Sequence, residues 1–111
     1  MNQIPLDAAA AELHAAAALA DHRADGDPFS PWTALGGQLR LVAAGLDPAP
    51  ATHARLRKTL GGHTAAALER LDALDVSSKP ADLAFWRRHV EHLHEQATRL
   101  EGDTENRRSN P

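Results

Sequence analysis

The sequence predicts an all-α protein, a compact four-helix, bundle-like domain, and three observations support this prediction. The apolar residues are mainly leucine and alanine, with 23 alanines in a chain of 111 residues. These two residue types favour helices, whereas the β-branched residues valine and isoleucine, which favour strands, are nearly absent. Four segments carry apolar residues at helical spacing, and segments rich in proline or glycine separate them.

The last predicted helix, residues 80–100, has the clearest apolar pattern. Its apolar residues recur after 3, 4, 3, 4 and 3 positions, at Leu83, Trp86, Val90, Leu93, Ala97 and Leu100. This spacing places one apolar stripe along one side of a helix. Such a helix is marginal alone in water and needs other helices to cover the stripe. We therefore expect Trp86, and Trp32 in the matching stripe of the second helix, to be buried.

The first two helices are predicted from their ends as much as from their apolar residues. Helix one carries a stripe made mostly of alanine methyl groups and stops at Gly26. Residues 25–28, Asp-Gly-Asp-Pro, are typical of a turn. Ser30 followed by Pro31 is a typical start for helix two. We expect helix two to end at Gly45, as a left-handed stop.

Helix three is predicted to run from residue 48 to about Leu74, and it contains two adjacent glycines, Gly61 and Gly62. Together they cost roughly 2 kcal/mol relative to two alanines in a helix interior. We therefore expect this helix to bend or break there, or to cross a neighbour closely. The last helix is predicted to stop at Gly102. Residues 1–102 are then a single helical domain, and the polar residues 103–111 a disordered C-terminal tail.

Composition and charge argue against several functional classes. The formal net charge is −3, so the chain as a whole does not attract nucleic acid or an anionic membrane. Without cysteine there is no disulfide, no thiolate zinc ligand and no cysteine nucleophile. No segment approaches the ~18 continuous apolar residues of a membrane span, and the N-terminus lacks the basic start of a signal peptide. We expect a cytoplasmic protein that does not contact membranes.

The sequence shows no pattern typical of catalysis. It has no nucleophile elbow, no phosphate-binding loop and no His-Glu-x-x-His motif. Inward-facing carboxylates that would form an acid–base pair are scarce on the predicted helix faces. We therefore expect a protein that is not an enzyme, with no catalytic residue and no cofactor.

Histidines raise the question of a metal site, since the chain holds seven and three crowd the last helix, at His89, His92 and His94. Glu91 and His94 have the Glu-x-x-His spacing of carboxylate-bridged di-metal bundles. Such a site needs a second motif and more carboxylates, and Glu12 and Glu69 are the only other glutamates in the first three helices. We therefore predict no metal site and keep Glu91 and His94 as a weak alternative.

Residues 43–58 have the outline of a helix-turn-helix, with a glycine in the turn. Its second helix would present the most basic face of the protein, formed by Thr52, His53, Arg55, Arg57 and Lys58. However, Leu41 stands where a small residue is expected, and the acidic balance of the chain weakens phosphate binding. An ordinary helical hairpin with a solvated basic patch is the preferred interpretation, and nucleic acid is not the expected partner.

Phe85 is the strongest candidate for contact with a partner. It follows the stripe of the last helix but points about 100° away from Trp86 around the helix axis. It therefore either widens the core by packing under residues 76–79, or lies on a contact surface, where aromatic anchors are favoured. We predict partner binding, or self-association as a homodimer, through Phe85 with Arg88 and His92 at its rim.

By elimination, the sequence favours a small non-enzymatic helical protein that acts by stoichiometric protein–protein binding. An inhibitor, an adaptor or an accessory protein of the kind that phages and plasmids encode fits this profile. The alternative is a weak helix-turn-helix-like DNA-binding regulator that uses residues 43–58. A metal-binding bundle with histidine and glutamate ligands is the third hypothesis.

Overall fold

Four helices make up the described part of the chain in the computed structural model. The backbone is described for residues 4–47, 54–55, 57–73 and 83–109, and side chains within these ranges from residue 7 to residue 103. The helices are α1 (Ile4–Ala24), α2 (Pro31–Leu46), α3 (Leu60–Asp72) and α4 (Leu83–Ser109), and these ranges contain no strand. The prediction of an all-α, four-helix, bundle-like fold is confirmed.

The turn between α1 and α2 forms as the sequence predicts. Asp25 and Gly26 have positive φ angles of 51° and 78°, and this left-handed pair follows the end of α1. Ser30 caps α2, because its side-chain oxygen accepts a hydrogen bond from the backbone N–H of Trp32 at 3.1 Å. Pro31 is the first helical residue. The short connection makes α1 and α2 an antiparallel pair.

The end of α2 differs from the prediction, because Gly45 is not a left-handed stop. The helix runs through Gly45 to Leu46, and the cap residue Asp47 donates its backbone N–H to the carbonyl oxygen of Ala43 at 2.8 Å. Packing explains the glycine, since a Cβ at this position would lie 2.5 Å from the indole ring of Trp86. A glycine in a helix interior costs about 1 kcal/mol, and here it allows the tryptophan of α4 to lie against the backbone of α2.

The prediction of one long third helix is wrong at its start. Residues 57–59 are not helical, and Thr59 caps a helix that begins only at Leu60. The Thr59 hydroxyl accepts the backbone N–H of Gly62 at 2.9 Å. The two glycines therefore lie in the first turn, where no bend is needed. Gly61 instead permits a close approach of α4, since a Cβ there would lie 3.2 Å from the carboxylate of Glu101.

Glu101 of α4 completes the N-terminus of α3. Its carboxylate accepts the backbone N–H groups of Leu60 and Gly61 at 2.8 and 2.9 Å, two of the donors that a helix cannot satisfy internally. Arg23 of α1 bonds to the same carboxylate, and its guanidinium lies 5.0 Å from the centre of the Trp32 ring. These contacts bring the end of α1, the starts of α2 and α3 and a late turn of α4 together.

The last helix also extends beyond its predicted end. It continues through Gly102 to Ser109, so the tail predicted to be disordered from residue 103 is helical as far as Ser109. One glycine costs only about 1 kcal/mol in a helix interior, and this is too little to end a helix of 27 residues. The assignment of residues 1–102 to a single domain stays a prediction.

The helices pack as a ring in which α1 contacts α2 and α3, and α4 contacts the same two helices. Therefore α1 lies diagonally opposite α4, and α2 lies opposite α3. Among its described residues, the first helix lines its side of the core with alanines around the fully buried Leu13. Trp32, Trp86 and Leu100 are only partly buried and pack at the edge of the core. Both tryptophans are thus less buried than predicted.

Replacing Gly45 by alanine is expected to lower the free energy of unfolding by about 1–3 kcal/mol, because the added methyl group overlaps the indole of Trp86. This loss should exceed the gain of about 1 kcal/mol in helix propensity. Gly37 in the same helix is the matched control, since a Cβ there would meet nothing within 4 Å. Gly37→Ala should stabilise the protein in the same urea-unfolding measurement. Equal effects of the two substitutions would contradict the packing of Trp86 on Gly45.

Candidate functional site

Three large apolar side chains stand exposed among the described residues: Phe29, Leu41 and Phe85. Phe85 is 57 % exposed. Its ring makes edge contacts with two neighbours on α4, Trp86 and His89, at centroid distances of 5.1 and 4.7 Å. These contacts hold the ring in place on the surface. Phe85 is therefore exposed, its role in contact with a partner stays a prediction, and residues 76–79 lie outside the described part of the chain.

Phe85 borders an apolar depression between α2 and α4. The residues that line it are Gln38, Leu41 and Val42 of α2 and Phe85, Trp86 and His89 of α4. Leu41 is 69 % exposed and belongs to the α2 wall, whereas Phe85 belongs to the α4 wall. Two exposed apolar side chains are therefore part of one contiguous surface, with the partly buried Trp86 beside them. A contiguous patch of this kind marks a binding site more often than scattered apolar residues do.

The depression continues along the same two helices. A second one is lined by Pro31, Ala34, Leu35 and Gln38 of α2 and by Gln96, Arg99 and Leu100 of α4. Gln38 borders both, and we call the two together the α2–α4 groove. Between Phe85 and Leu100 the helix axis rises about 22 Å at 1.5 Å per residue. The groove therefore follows about four turns of helix.

The other two predicted partner-binding residues, Arg88 and His92, are exposed on α4, but neither is among the residues that line the groove. Neither Arg88 nor Arg99 forms an ion pair with any residue in the described ranges. Arg87, on the α3 side of the helix, pairs instead with two carboxylates. Of the two unpaired arginines, Arg99 lines the groove.

The described part of residues 43–58 does not form a helix-turn-helix. The first helix ends at Leu46, and residues 54–55 and 57–59 are not helical, whereas the motif needs a second helix there. The third helix is capped at Thr59 and begins after the segment that was predicted to carry the basic face. The geometric basis of the DNA-binding hypothesis is therefore absent from the described residues.

The structure describes three of the five residues that were predicted to form that basic face. Arg55 and Lys58 are exposed. Arg57 directs its guanidinium inward, onto a buried carboxylate of α1. Thr52 and His53 lie outside the described residues. Among the described residues of this predicted face, only Arg55 and Lys58 therefore present a free basic side chain to a nucleic acid.

The two residues of the weak metal alternative, Glu91 and His94, each contact a different side chain. Glu91 pairs with Arg87 one turn earlier on α4. The Nδ1 atom of His94 lies 2.6 Å from the hydroxyl oxygen of Thr64, which is fully buried on α3. Within the described ranges, no three or more histidine, aspartate or glutamate side chains are grouped so as to hold a metal ion.

A buried polar cluster, which was not predicted from the sequence, joins α1 to α3. Glu12 is 3 % exposed and His63 is fully buried, and the Nδ1 atom of His63 lies 2.8 Å from a carboxylate oxygen of Glu12. Arg57 donates Nε and Nη2 hydrogen bonds to the two carboxylate oxygens at 3.1 and 3.0 Å. The available signals were Glu12, the one acidic residue within the alanine-rich stretch 8–18 of α1, and the polar gap in the apolar stripe of α3.

Hydrogen bonding determines where the protons of this cluster lie. The backbone N–H of Arg57 donates to Nε2 of His63 at 3.2 Å, so Nε2 carries no proton. The proton of the neutral ring then lies on Nδ1 and is donated to Glu12. Burial alone would raise the pKa of Glu12, but the hydrogen bonds from Arg57 and His63 outweigh it and hold this pKa below its usual value. Glu12 is therefore ionised at neutral pH, and Arg57 balances its charge.

No protein-family model matches the chain, and no curated protein or solved structure matches it either. Among the described helices, none is both long enough and apolar enough to cross a membrane. The candidate sites are therefore those that the fold itself presents, namely the open α2–α4 groove and the closed polar cluster around Glu12.

The stability of the protein should fall in acid because of Glu12. Its pKa is lower in the folded state, so its contribution is complete above the ordinary value of 4.5 and is lost as the pH falls through the folded-state pKa. Glu12→Gln should remove this part of the pH dependence. It should also lower the free energy of unfolding at pH 7 by about 1–3 kcal/mol, since Arg57 and His63 lose their charged acceptor.

The matched control is Glu95→Gln, the same chemical change at an exposed position of α4. Urea unfolding of the wild type and both variants, at pH values from about 3 to 7, measures the difference. The Glu95 variant should retain the slope of the wild type. An unchanged acid slope in the Glu12 variant would show that this carboxylate does not stabilise the fold.

Proposed function

We propose that the protein acts by stoichiometric binding to another protein through the α2–α4 groove, with Phe85 as an anchor. The observation that carries this proposal is the exposure of Leu41 and Phe85 on the two walls of one apolar groove. Phe85 is one of only four aromatic residues, two phenylalanines and two tryptophans. A partner that covers it would remove its apolar surface from water, and such anchors dominate interface energies.

The arrangement around the groove supports binding rather than catalysis. The groove is lined mainly by apolar side chains, and we assign the exposed residues Arg88 and His92 to its polar rim, which is the usual anatomy of an interface. The one carboxylate–histidine pair described, Glu12 and His63, is buried, and Arg57 occupies both carboxylate oxygens. A substrate therefore has no access to it. The proposed role is that of a non-enzymatic inhibitor, adaptor or accessory protein of the kind that phages and plasmids encode.

Location and assembly belong to the same proposal. A cytoplasmic location agrees with a chain that contains no cysteine, because disulfides are characteristic of oxidising compartments. The bound form is a complex with a different protein or a homodimer, and either one would cover Phe85. Measurements of self-association separate these two forms.

Phe85→Ser is expected to weaken partner binding by about 2 kcal/mol or more, the usual effect of losing an interface anchor. The free energy of unfolding should change by less than about 1 kcal/mol, because the side chain is mostly outside the core. The measurements are affinity capture from a cell extract, sedimentation velocity for self-association, and urea unfolding of the same preparations.

Phe29→Ser is the matched control, because Phe29 is 93 % exposed but belongs to the turn between α1 and α2. The control should retain both partner and stability. If both serine variants lose the same bound proteins, the exposed rings act only as non-specific apolar contacts. A large loss of stability in Phe85→Ser would assign this side chain to the core and would contradict the proposal.

A further inference from the structure

On its exposed surface α2 carries one charged residue, Arg40, which pairs with Asp21 of α1. Its other exposed residues are Pro31, Ala34, Gly37, Gln38, Leu41, Ala44 and Gly45. None of the α2 residues that line the groove is charged. Alanine and glycine allow another helix to approach closely, and Leu41 stands among them as the one large apolar side chain. The α2 wall of the groove can therefore pack against another helix, but it has no charged residue that could pair with a charge on that helix.

The charged residue of α4 that lines the groove is Arg99. Arg88 is exposed further round the same helix, and no described carboxylate forms an ion pair with either arginine. No acidic residue is among those that line the groove. The nearest acid on this side, Glu95, lies about 20° further from α2 around the helix than Arg88 and about 40° further than Arg99, at 100° of rotation per residue. Asp103 follows Leu100 and lies past the end of the groove.

We infer that the occupant of the α2–α4 groove is an amphipathic helix with acidic flanks, contributed by a different protein. Such a helix would place its apolar stripe between Leu41 and Phe85 and its carboxylates beside Arg88 and Arg99. The groove follows about four turns of helix, so about 15 residues of the partner fill it. This inference rests on the proposed function, since it names the chemistry of the partner that the groove binds.

Charge decides against a second copy of the chain as the occupant. In a twofold pairing, the same groove surface would meet itself. Its Arg99 would then approach an uncharged α2 or the Arg99 of the other copy, because no residue that lines the groove supplies a carboxylate. Nucleic acid fits less well than an acidic helix, because two arginines on a chain of net charge −3 give few phosphate contacts.

Two synthetic peptides of about 16 residues test the inference. One has leucines at helical 3-and-4 spacing flanked by glutamates, and the other has lysine at every glutamate position. The glutamate peptide should bind the full-length protein at least roughly tenfold more tightly than the lysine peptide, and this preference should shrink as salt is added. Fluorescence anisotropy of the labelled peptides measures both affinities.

Charge reversal at the rim provides the matched variants. Arg88→Glu and Arg99→Glu should each weaken the glutamate peptide roughly fivefold and strengthen the lysine peptide. Arg70→Glu, an exposed position on α3 away from the groove, should leave both affinities unchanged. Phe85→Ser should weaken both peptides, and the melting temperature of each variant confirms that it is folded.

Equal affinity for the two peptides, or preference for the lysine peptide, would overturn the inference. It would also fail if neither peptide binds or if Phe85→Ser abolishes a homodimer. The proposed function stays intact if Phe85→Ser abolishes a homodimer, and it also stays intact when the peptides fail but Phe85→Ser loses a captured partner. The proposed function fails separately if Phe85→Ser and Phe29→Ser behave alike in capture and in sedimentation.

Discussion

The buried carboxylate of Glu12 is the interaction on which the rest of the structure depends. A carboxylate in a core of methyl groups costs several kcal/mol unless it is paired and hydrogen-bonded. The partners come from two places, His63 in α3 and Arg57 in the segment before it. Arg57 reaches Glu12 from a non-helical backbone, and Thr59 then caps the third helix at Leu60. The charge thus ties both α3 and the segment before it to α1.

Polar contacts also tie α3 to the last helix. Glu101 accepts the first backbone N–H groups of α3, and Thr64 lies within hydrogen-bond distance of His94. The other side of the bundle is built differently, because α1 contributes mainly alanine methyl groups, which bury little area per residue. The large apolar groups gather where α2 meets α4, and Trp86 lies against Gly45. This unequal distribution of side-chain size accompanies an open groove on the α2–α4 side, and the proposed function follows from that groove.

The fold class could be predicted because it depends on local features. The stripe from Leu83 to Leu100 and the Ser30 cap both appear in the structure where the spacing and residue types place them. The missed features depend on contacts between distant residues. Gly45 resembles a helix stop until Trp86 is known to lie on it, and Glu12 and His63 are 51 residues apart. No local pattern pairs these residues, so only the packed structure reveals them.

The candidate site was predictable to a similar extent. The position of Phe85 off the apolar stripe predicted two places for it, and the structure shows the exposed one. The groove itself was not predictable, since Leu41 reaches it from α2 and the sequence does not state that α2 and α4 are neighbours. Arg57 was grouped with the exposed basic residues because of its charge. Its guanidinium instead bonds to the buried carboxylate of Glu12.

Nitrogen-15 NMR of the His63 ring at neutral pH is the most direct test of the role assigned to Glu12. The predicted result is a neutral ring with its proton on Nδ1, an unprotonated Nε2, and a coupling across the hydrogen bond from the backbone N–H of Arg57. A proton on Nε2 would contradict the account, because that nitrogen could then not accept the Arg57 N–H. A rapidly exchanging mixture of both tautomers would contradict it as well, since it would show that His63 is not held by the buried carboxylate.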